Sequence, residues 1–311
     1  MSISIERNFN KEHQRGFSLI ELMIAIPLGM LVMFAVLRIF TANIHGVSVQ
    51  NALSRVQENG RMSMELITRD IRAADYWGCI HDTSSIENLD SSTSVLVPSN
   101  EQGVLGENNV DSSTTIADIE VKENTDTLTL RGSKGFSNVK IKTAMTSVSA
   151  DIALSFTDST GIESGDLLLI SDSEHADLFI NTSSTEGTIS HSSDFSDAYG
   201  LTAQLLVPYI KTYFIGASSV GTDMYSLYRS EDGGSSADEI VRGINDLQFV
   251  YGEDTTGDGY VDTFSNASDV ADMDNVLSIR MELTAESGNG VSGTSLQRTY
   301  TVTANIRNRS F

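Results

Sequence analysis

The feature that most constrains this chain is an apolar run with one carboxylate in it. From Phe17 to Leu37 the sequence reads as a membrane helix that meets Arg38, yet Glu21 lies inside it. A membrane-buried carboxylate is expensive and needs both a reason and a partner. No charge falls between Leu22 and Leu37. With Phe17 to Glu21 added, the run nears the ~20 residues that a helix needs to cross a bilayer. Arg38, Thr41 and Asn43 mark the exit, where the long arginine stem reaches back to the interface. Pro27 and Gly29 interrupt the run, and Pro27 is predicted to kink or locally melt the helix.

The segment ahead of the run is polar and basic, with Arg7, Lys11 and Arg15, and ends in Gly16. A secretory signal places its small-residue cleavage site after the apolar region. Here the small residue comes first, so cleavage after Gly16 removes residues 1–16, keeps the apolar helix and leaves a new amine on Phe17. The basic leader keeps the N-terminal side in the cytoplasm. Everything beyond Arg38 is then outside the inner membrane. The competing reading is a plain signal anchor whose glutamate lies near the interface.

The stretch Gly16-Phe17-Ser18-Leu19-Ile20-Glu21 resembles the cleavage motif of type IV prepilins. That resemblance implies a prepilin peptidase that cuts after Gly16 and methylates the amine of Phe17. It also makes Glu21 the glutamate at the fifth mature position. A carboxylate one turn into an apolar helix can pair with the amine of a neighbouring subunit. In a low-dielectric filament core, losing that partner would leave a charge unpaired.

The helical pattern continues past the membrane. Val49, Leu53, Val56, Gly60, Met64, Ile67, Ile71 and Ala74 recur at spacings of three and four, as in an amphipathic helix. Gln50, Arg55, Glu58, Arg61, Glu65, Arg69 and Arg72 fall on the opposite face, with Glu65 and Arg69 spaced as an ion pair. One helix over residues 17–78, spanning the membrane at about 17–40, is expected. Residues 17–75 of it would be roughly 90 Å long at ~1.5 Å per residue. Asn51 to Arg61 and Arg69 to Cys79 resemble the PilW family of minor pilins, whose nearest counterpart is the J-type minor pseudopilin of type II secretion. Val276 to Arg309 adds to that resemblance.

Residues 79–311 are rich in Gly, Ser, Thr and Asp and carry many short strand signals. They fall at Thr127–Arg131, Asp151–Phe156, Asp166–Ser171, Asp177–Asn181, Gln204–Ile215, Met224–Tyr228, Asp246–Tyr251, Val276–Thr284 and Gln297–Ile306. The last two are expected to form a hairpin around 286–294. Residues 83–120 and 182–200 lack a period and read as surface loops. The expected fold is α+β and type IV pilin-like, a long N-terminal helix packed on a mainly antiparallel β domain.

The formal net charge of −22 argues against a nucleic-acid partner, because phosphate contacts need a basic patch. The single Cys79 excludes an intrachain disulfide. It is expected to be buried beside Trp77, with pairing between chains as the alternative.

One constellation suggests a metal. Asp254, Thr256, Asp258, Tyr260 (through its carbonyl) and Asp262 match the first five ligand positions of a calcium loop, with Gly259 at the sharp turn. Thr256 stands where Asp or Asn is usual, and Ser265 where a bidentate glutamate belongs. Asp269, Asp272 or Asp274 is the nominee for the missing carboxylate. The alternative is a solvated Asp-Gly turn without metal. Cys79 and His81 are too few for zinc. No nucleophile elbow, phosphate loop or His-Glu-x-x-His helix is present, so no enzyme and no other cofactor is expected.

The resemblance implies a minor pilin that helps initiate or cap a type IV pilus. Its implied partners are the other minor pilins, the major pilin, a PilY1-type tip adhesin and the prepilin peptidase. It would sit in the inner membrane with its globular domain in the periplasm before assembly, and at the pilus tip afterwards. The alternatives are a J-type pseudopilin of a type II secretion system and a tip module that binds a surface or ligand.

Overall fold

The computed structural model describes residues 16–80, 85–90, 103–221, 224–231, 233–288 and 295–309. The basic leader residues Arg7, Lys11 and Arg15, His81, and residues 289–294 of the expected hairpin turn lie outside the described residues. The chain forms two compact units that meet in sequence between Asn51 and Ala52.

Helix α1 (Leu19–Ala73, 55 residues) runs without a break through Pro27 and Gly29, so the expected melting does not occur. In the first unit its apolar window is entirely unburied. In the second unit Val56, Gly60, Ser63, Ile67, Asp70 and Ile71 are buried. Of the expected stripe, Val56, Gly60, Ile67 and Ile71 are buried, Val49 and Met64 are half-buried and Leu53 is exposed, and the buried face also takes in the polar Ser63 and Asp70. Glu65 pairs with Arg61 at 3.6 Å rather than with Arg69, which turns instead to Asp70 at 3.4 Å.

The second unit is mainly antiparallel β. Its chain first makes β1 (Ile86–Asn88), β2 (Val104–Glu107), β3 (Thr115–Ile116), β4 (Ile119–Glu120), β5 (Thr127–Gly135) and β6 (Val139–Ile141). It continues through β7 (Ile152–Phe156), β8 (Leu167–Ser171), β9 (Ala176–Ile180), β10 (Thr188–Ile189) and the long β11 (Gln204–Ala217). It closes with β12 (Tyr225–Ser230), β13 (Asp238–Arg242), β14 (Ile244–Glu253), β15 (Thr263–Ser265), β16 (Val276–Glu286) and β17 (Gln297–Asn305).

Strand β11 organises the larger sheet, whose order is β1-β9-β8-β11-β12-β13. Its first residues, Gln204 to Leu206, pair with β8, and its last, Thr212 to Ala217, pair with β12. Strand β5 takes Leu206 to Tyr213 on the other edge and carries β2 beyond it. A second sheet runs β15-β14-β16-β17, all antiparallel, and β16 and β17 pair as the expected hairpin strands.

All nine expected strands are present, but the two loop assignments need correction. Residues 103–120 contain β2, β3 and β4 and bury Val104 and Val110. Residues 182–200 contain β10 and bury Ile189, Phe195 and Tyr199. Val110, Ile189, Phe195 and Tyr199 each stand in polar sequence, so no period reveals them. Phe195 and Tyr199 meet edge to face at 5.6 Å and help close a core behind β8 and β9. The opposite faces of β8 and β9, with Leu169 and Leu178, close over Trp77. Burial on both faces explains the unbroken apolar run from Leu167 to Ile170. Cys79 is exposed, contrary to expectation, while Trp77 is buried.

The main core gathers Val56, Ile67 and Ile71 of α1 against β5, β11, β14 and β16. Inside this apolar contact sits the Asp70 carboxylate, which accepts hydrogen bonds from the Tyr213 hydroxyl at 2.6 Å and Lys211 Nζ at 2.9 Å. Burial pushes the Asp70 carboxyl up. The Tyr213 and Lys211 contacts, with the Lys211 and Arg69 charges, outweigh that and hold it below its ordinary value.

The helix end is closed from outside the helix. The Ala73 carbonyl accepts from Tyr209 at 3.0 Å and the Ala74 carbonyl from Asn308 Nδ2 at 2.8 Å. Asp75 then turns left-handed at φ 61°, a conformation that a short polar side chain tolerates. It pairs with Arg309 at 2.5 Å and accepts from the Trp77 indole at 2.9 Å. Upstream, Gly60 lets the helix touch the sheet: a Cβ there would lie 2.2 Å from the Tyr300 ring.

Asp70→Asn keeps the shape of the clasp and loses its charge, at a cost of about 2 kcal/mol. Because this carboxyl is depressed in the fold, its contribution is present above the ordinary pKa of about 4 and is lost as pH falls through the folded value. Urea unfolding of the chain in detergent, read by the single Trp77, should show a gap between wild type and variant at neutral pH that closes in acid.

Candidate functional site

Two regions are nominated by the sequence: the start of α1 and the Asp-rich loop after β14. At the first, Gly16, Phe17 and Ser18 precede the helix, which begins at Leu19. Phe17 is 92% exposed, and none of the described residues lies within 4 Å of where a Gly16 side chain would point.

Glu21 has a partner within its own chain. Its carboxylate accepts a hydrogen bond from the Ser18 backbone N–H at 3.0 Å, while Ser18 Oγ accepts from the Ile20 N–H at 3.4 Å. This is a variant of the capping box, with Ser18 at the N-cap taking the N–H two residues on and Glu21, three residues on, reaching back to the Ser18 N–H. It also places the negative charge in the first turn, where the helix dipole favours it. Ser-x-x-Glu ahead of an apolar run, here Ser18 and Glu21, is the sequence signal for this cap. Below it, Leu22, Met23, Ile24 and the apolar residues down to Phe40 are all exposed. α1 is the one helix among the described residues long and apolar enough to cross a membrane.

The Asp-rich segment is the loop of a hairpin: β14 enters it, and β15 leaves it paired back on Tyr251 to Glu253. Asp254 Oδ1 accepts from the N–H groups of Thr256 at 3.1 Å, Gly257 at 2.6 Å and Asp258 at 3.3 Å. Asp254 Oδ2 accepts from Gly259 N–H at 2.7 Å. Asp262 Oδ2 takes the hydroxyl of Thr255 at 2.9 Å and the N–H groups of Thr255 and Thr256 at 2.8 and 3.1 Å. Asp258 Oδ1 accepts from Tyr260 N–H at 3.0 Å. Gly257 and Gly259 both adopt the left-handed conformation that wraps the backbone round Asp254.

Burial pushes the Asp254 carboxyl up, but the N–H groups of Gly259, Gly257, Thr256 and Asp258 offset it and hold it below its ordinary value. Asp262 is lowered by the Thr255 hydroxyl first and the backbone N–H groups after it.

Among the described residues no group of three or more His, Cys, Asp or Glu side chains is placed to hold a metal. Two of the nominated auxiliaries are engaged elsewhere. Asp272 caps the short turn at Met273 by accepting from Asp274 N–H at 3.0 Å, and Asp274 lies 3.5 Å from Arg309. Here the carboxylates of the loop hold its own backbone.

Known proteins supply two matches. The model of the prokaryotic N-terminal methylation motif matches residues 12–37, which include Gly16, Phe17 and Glu21. That of the type IV pilus-assembly protein W family matches residues 212–308, from the end of β11 through β17. Asn51 to Cys79, which carries much of the sequence resemblance, lies outside both. No curated protein and no solved structure matches the chain. An apolar, uncovered N-terminal helix that fits membrane anchoring, the methylation motif at its head and the stretch similar to the type IV pilus-assembly protein W family at the other end together support a type IV pilus-related pilin.

Proposed function

We propose that the chain is a minor pilin that initiates or caps a type IV pilus. The observation that carries this reading is the head of α1. An exposed Phe17, a capped carboxylate and an unburied apolar helix stand in succession. Such a helix gains little by association in lipid unless packing or a polar pair drives it. Cleavage after Gly16 supplies that pair, because the amine of one chain's Phe17 can meet Glu21 of a neighbour. The prepilin peptidase would cut the bond and methylate the amine.

The Ser18 contact gives Glu21 a holding partner while the helix is in the membrane. Exchanging a backbone N–H for a charged amine then favours the filament. The domain lies on the periplasmic side before assembly. Its size suits the tip better than a repeating shaft position. The role is structural, with other minor pilins, the major pilin and a tip adhesin as partners. A defect in twitching with protein secretion intact supports the pilus; the reverse defect supports a type II secretion machine.

Gly16→Leu should leave the chain at precursor length on a gel; a mature-length band would contradict the cleavage assignment. Glu21→Ala should be processed normally yet be absent from sheared pili. Its incorporation at wild-type level would sink the pairing argument. Calcium in the 254–262 loop is a separate proposal, since Asp254 and Asp262 would have to exchange backbone donors for the ion. Binding in the range of extracellular modules, roughly 10⁻⁴ to 10⁻³ M, would raise the melting temperature. No heat on titration, and a melting temperature indifferent to chelator, would remove the ion.

A further inference from the structure

Strand β17 is nine residues long and pairs on one side only, with β16. Its register is unbroken from Ser278 opposite Asn305 to Glu286 opposite Gln297, and it contains neither proline nor lysine. Proteins ordinarily blunt a free edge by keeping it short, bulged or charged. The other outer strands here follow that rule. β1 and β15 have three residues each, and β13 has five with a register shift and three charged side chains. Among the described residues no strand pairs with the free edge of β17.

Beside it lies a groove of about 880 Å³ between this strand and the second half of α1. Met62, Leu66 and Val302 give it an apolar lining. Its charged residues are mostly basic: Arg61, Arg69, Arg72 and Arg307 against Glu58 and Glu65. Arg61 and Arg69 have carboxylate partners, whereas Arg72 and Arg307 are exposed with no ion pair among the described residues. On a chain of net charge −22, a basic groove beside an open edge is a local inversion of the surface.

We propose that this groove receives an extended acidic segment of a different pilus subunit, added as a strand to the open edge of β17. Backbone hydrogen bonds to β17 would supply the pairing. Alternate apolar side chains would enter against Met62 and Val302, and acidic ones would meet Arg72 and Arg307. Charge complementarity selects the partner and steers its approach. The inference rests on the pilin reading only in calling the partner a pilus subunit; the groove itself can be tested without a pilus.

The test uses the full chain in detergent and a fluorescent dodecapeptide of alternating Glu and Val, read by anisotropy. Two controls replace Glu by Lys, or carry N-methyl groups on alternate backbone nitrogens. Binding by the Glu peptide is expected. Loss of at least tenfold is expected for the Lys peptide, for the N-methylated peptide, and for the Glu peptide on Arg72→Glu/Arg307→Glu. These are surface changes, and an unchanged Trp77 spectrum checks that the variant is folded. Equal binding of the N-methylated peptide would overturn strand addition, and an unaffected double variant would overturn charge selection. In cells, p-benzoylphenylalanine in place of Val302 should cross-link an acidic segment of another pilus subunit, with the product lost in the charge-reversed variant. A cross-link to residues 91–102 of the same chain, or to a second copy, would overturn the choice of occupant. So would the absence of any product.

Discussion

The second half of α1 is the joint on which the globular unit depends. Ile67 and Ile71 enter the core from the helix, and Asp70 between them carries a charge into the same contact. An unpaired carboxylate there would be costly, so Lys211 and Tyr213 of β11 must meet it. That requirement fixes both the rotation of the helix and the position of β11. Strand β11 in turn carries β5 on one edge and β8 and β12 on the other, so the larger sheet inherits its placement from one polar clasp. Apolar burial supplies the driving force, while the clasp specifies the register.

The two ends of α1 use carboxylates in different ways. Asp70 is satisfied by side chains from another element, through contacts that require the fold. Glu21 is satisfied by its own turn, through a cap that needs nothing else of the fold. A cap of that kind is easily exchanged, which suits a group whose final partner is proposed to arrive from another chain. The Asp-rich loop repeats the local strategy, with Asp254 gathering four N–H groups of its own hairpin.

Much of this was legible in the sequence, and the misses have physical causes. Long strands announce themselves by alternation, so the segments at Gln204–Ala217 and Val276–Glu286 were readable. Strand β13 was not, because Asp238-Glu239-Ile240-Val241-Arg242 is charged and bulged as a protected edge has to be. Phe195 and Tyr199 were hidden because one aromatic in a polar loop has no period. The burial of Asp70 could not be foreseen, since its partners lie 141 and 143 residues away. The calcium pattern was visible as spacing, but spacing does not say whether oxygens face an ion or their own backbone.

The central claim is that proteolysis at Gly16 makes the partner that Glu21 requires. The most direct measurement is the N-terminus of the protein recovered from cells, read by mass spectrometry of its first peptide. The account predicts a chain that begins at N-methylated Phe17. A chain that still carries residues 1–16, or is cut beyond the apolar run so that α1 loses its head, would contradict it.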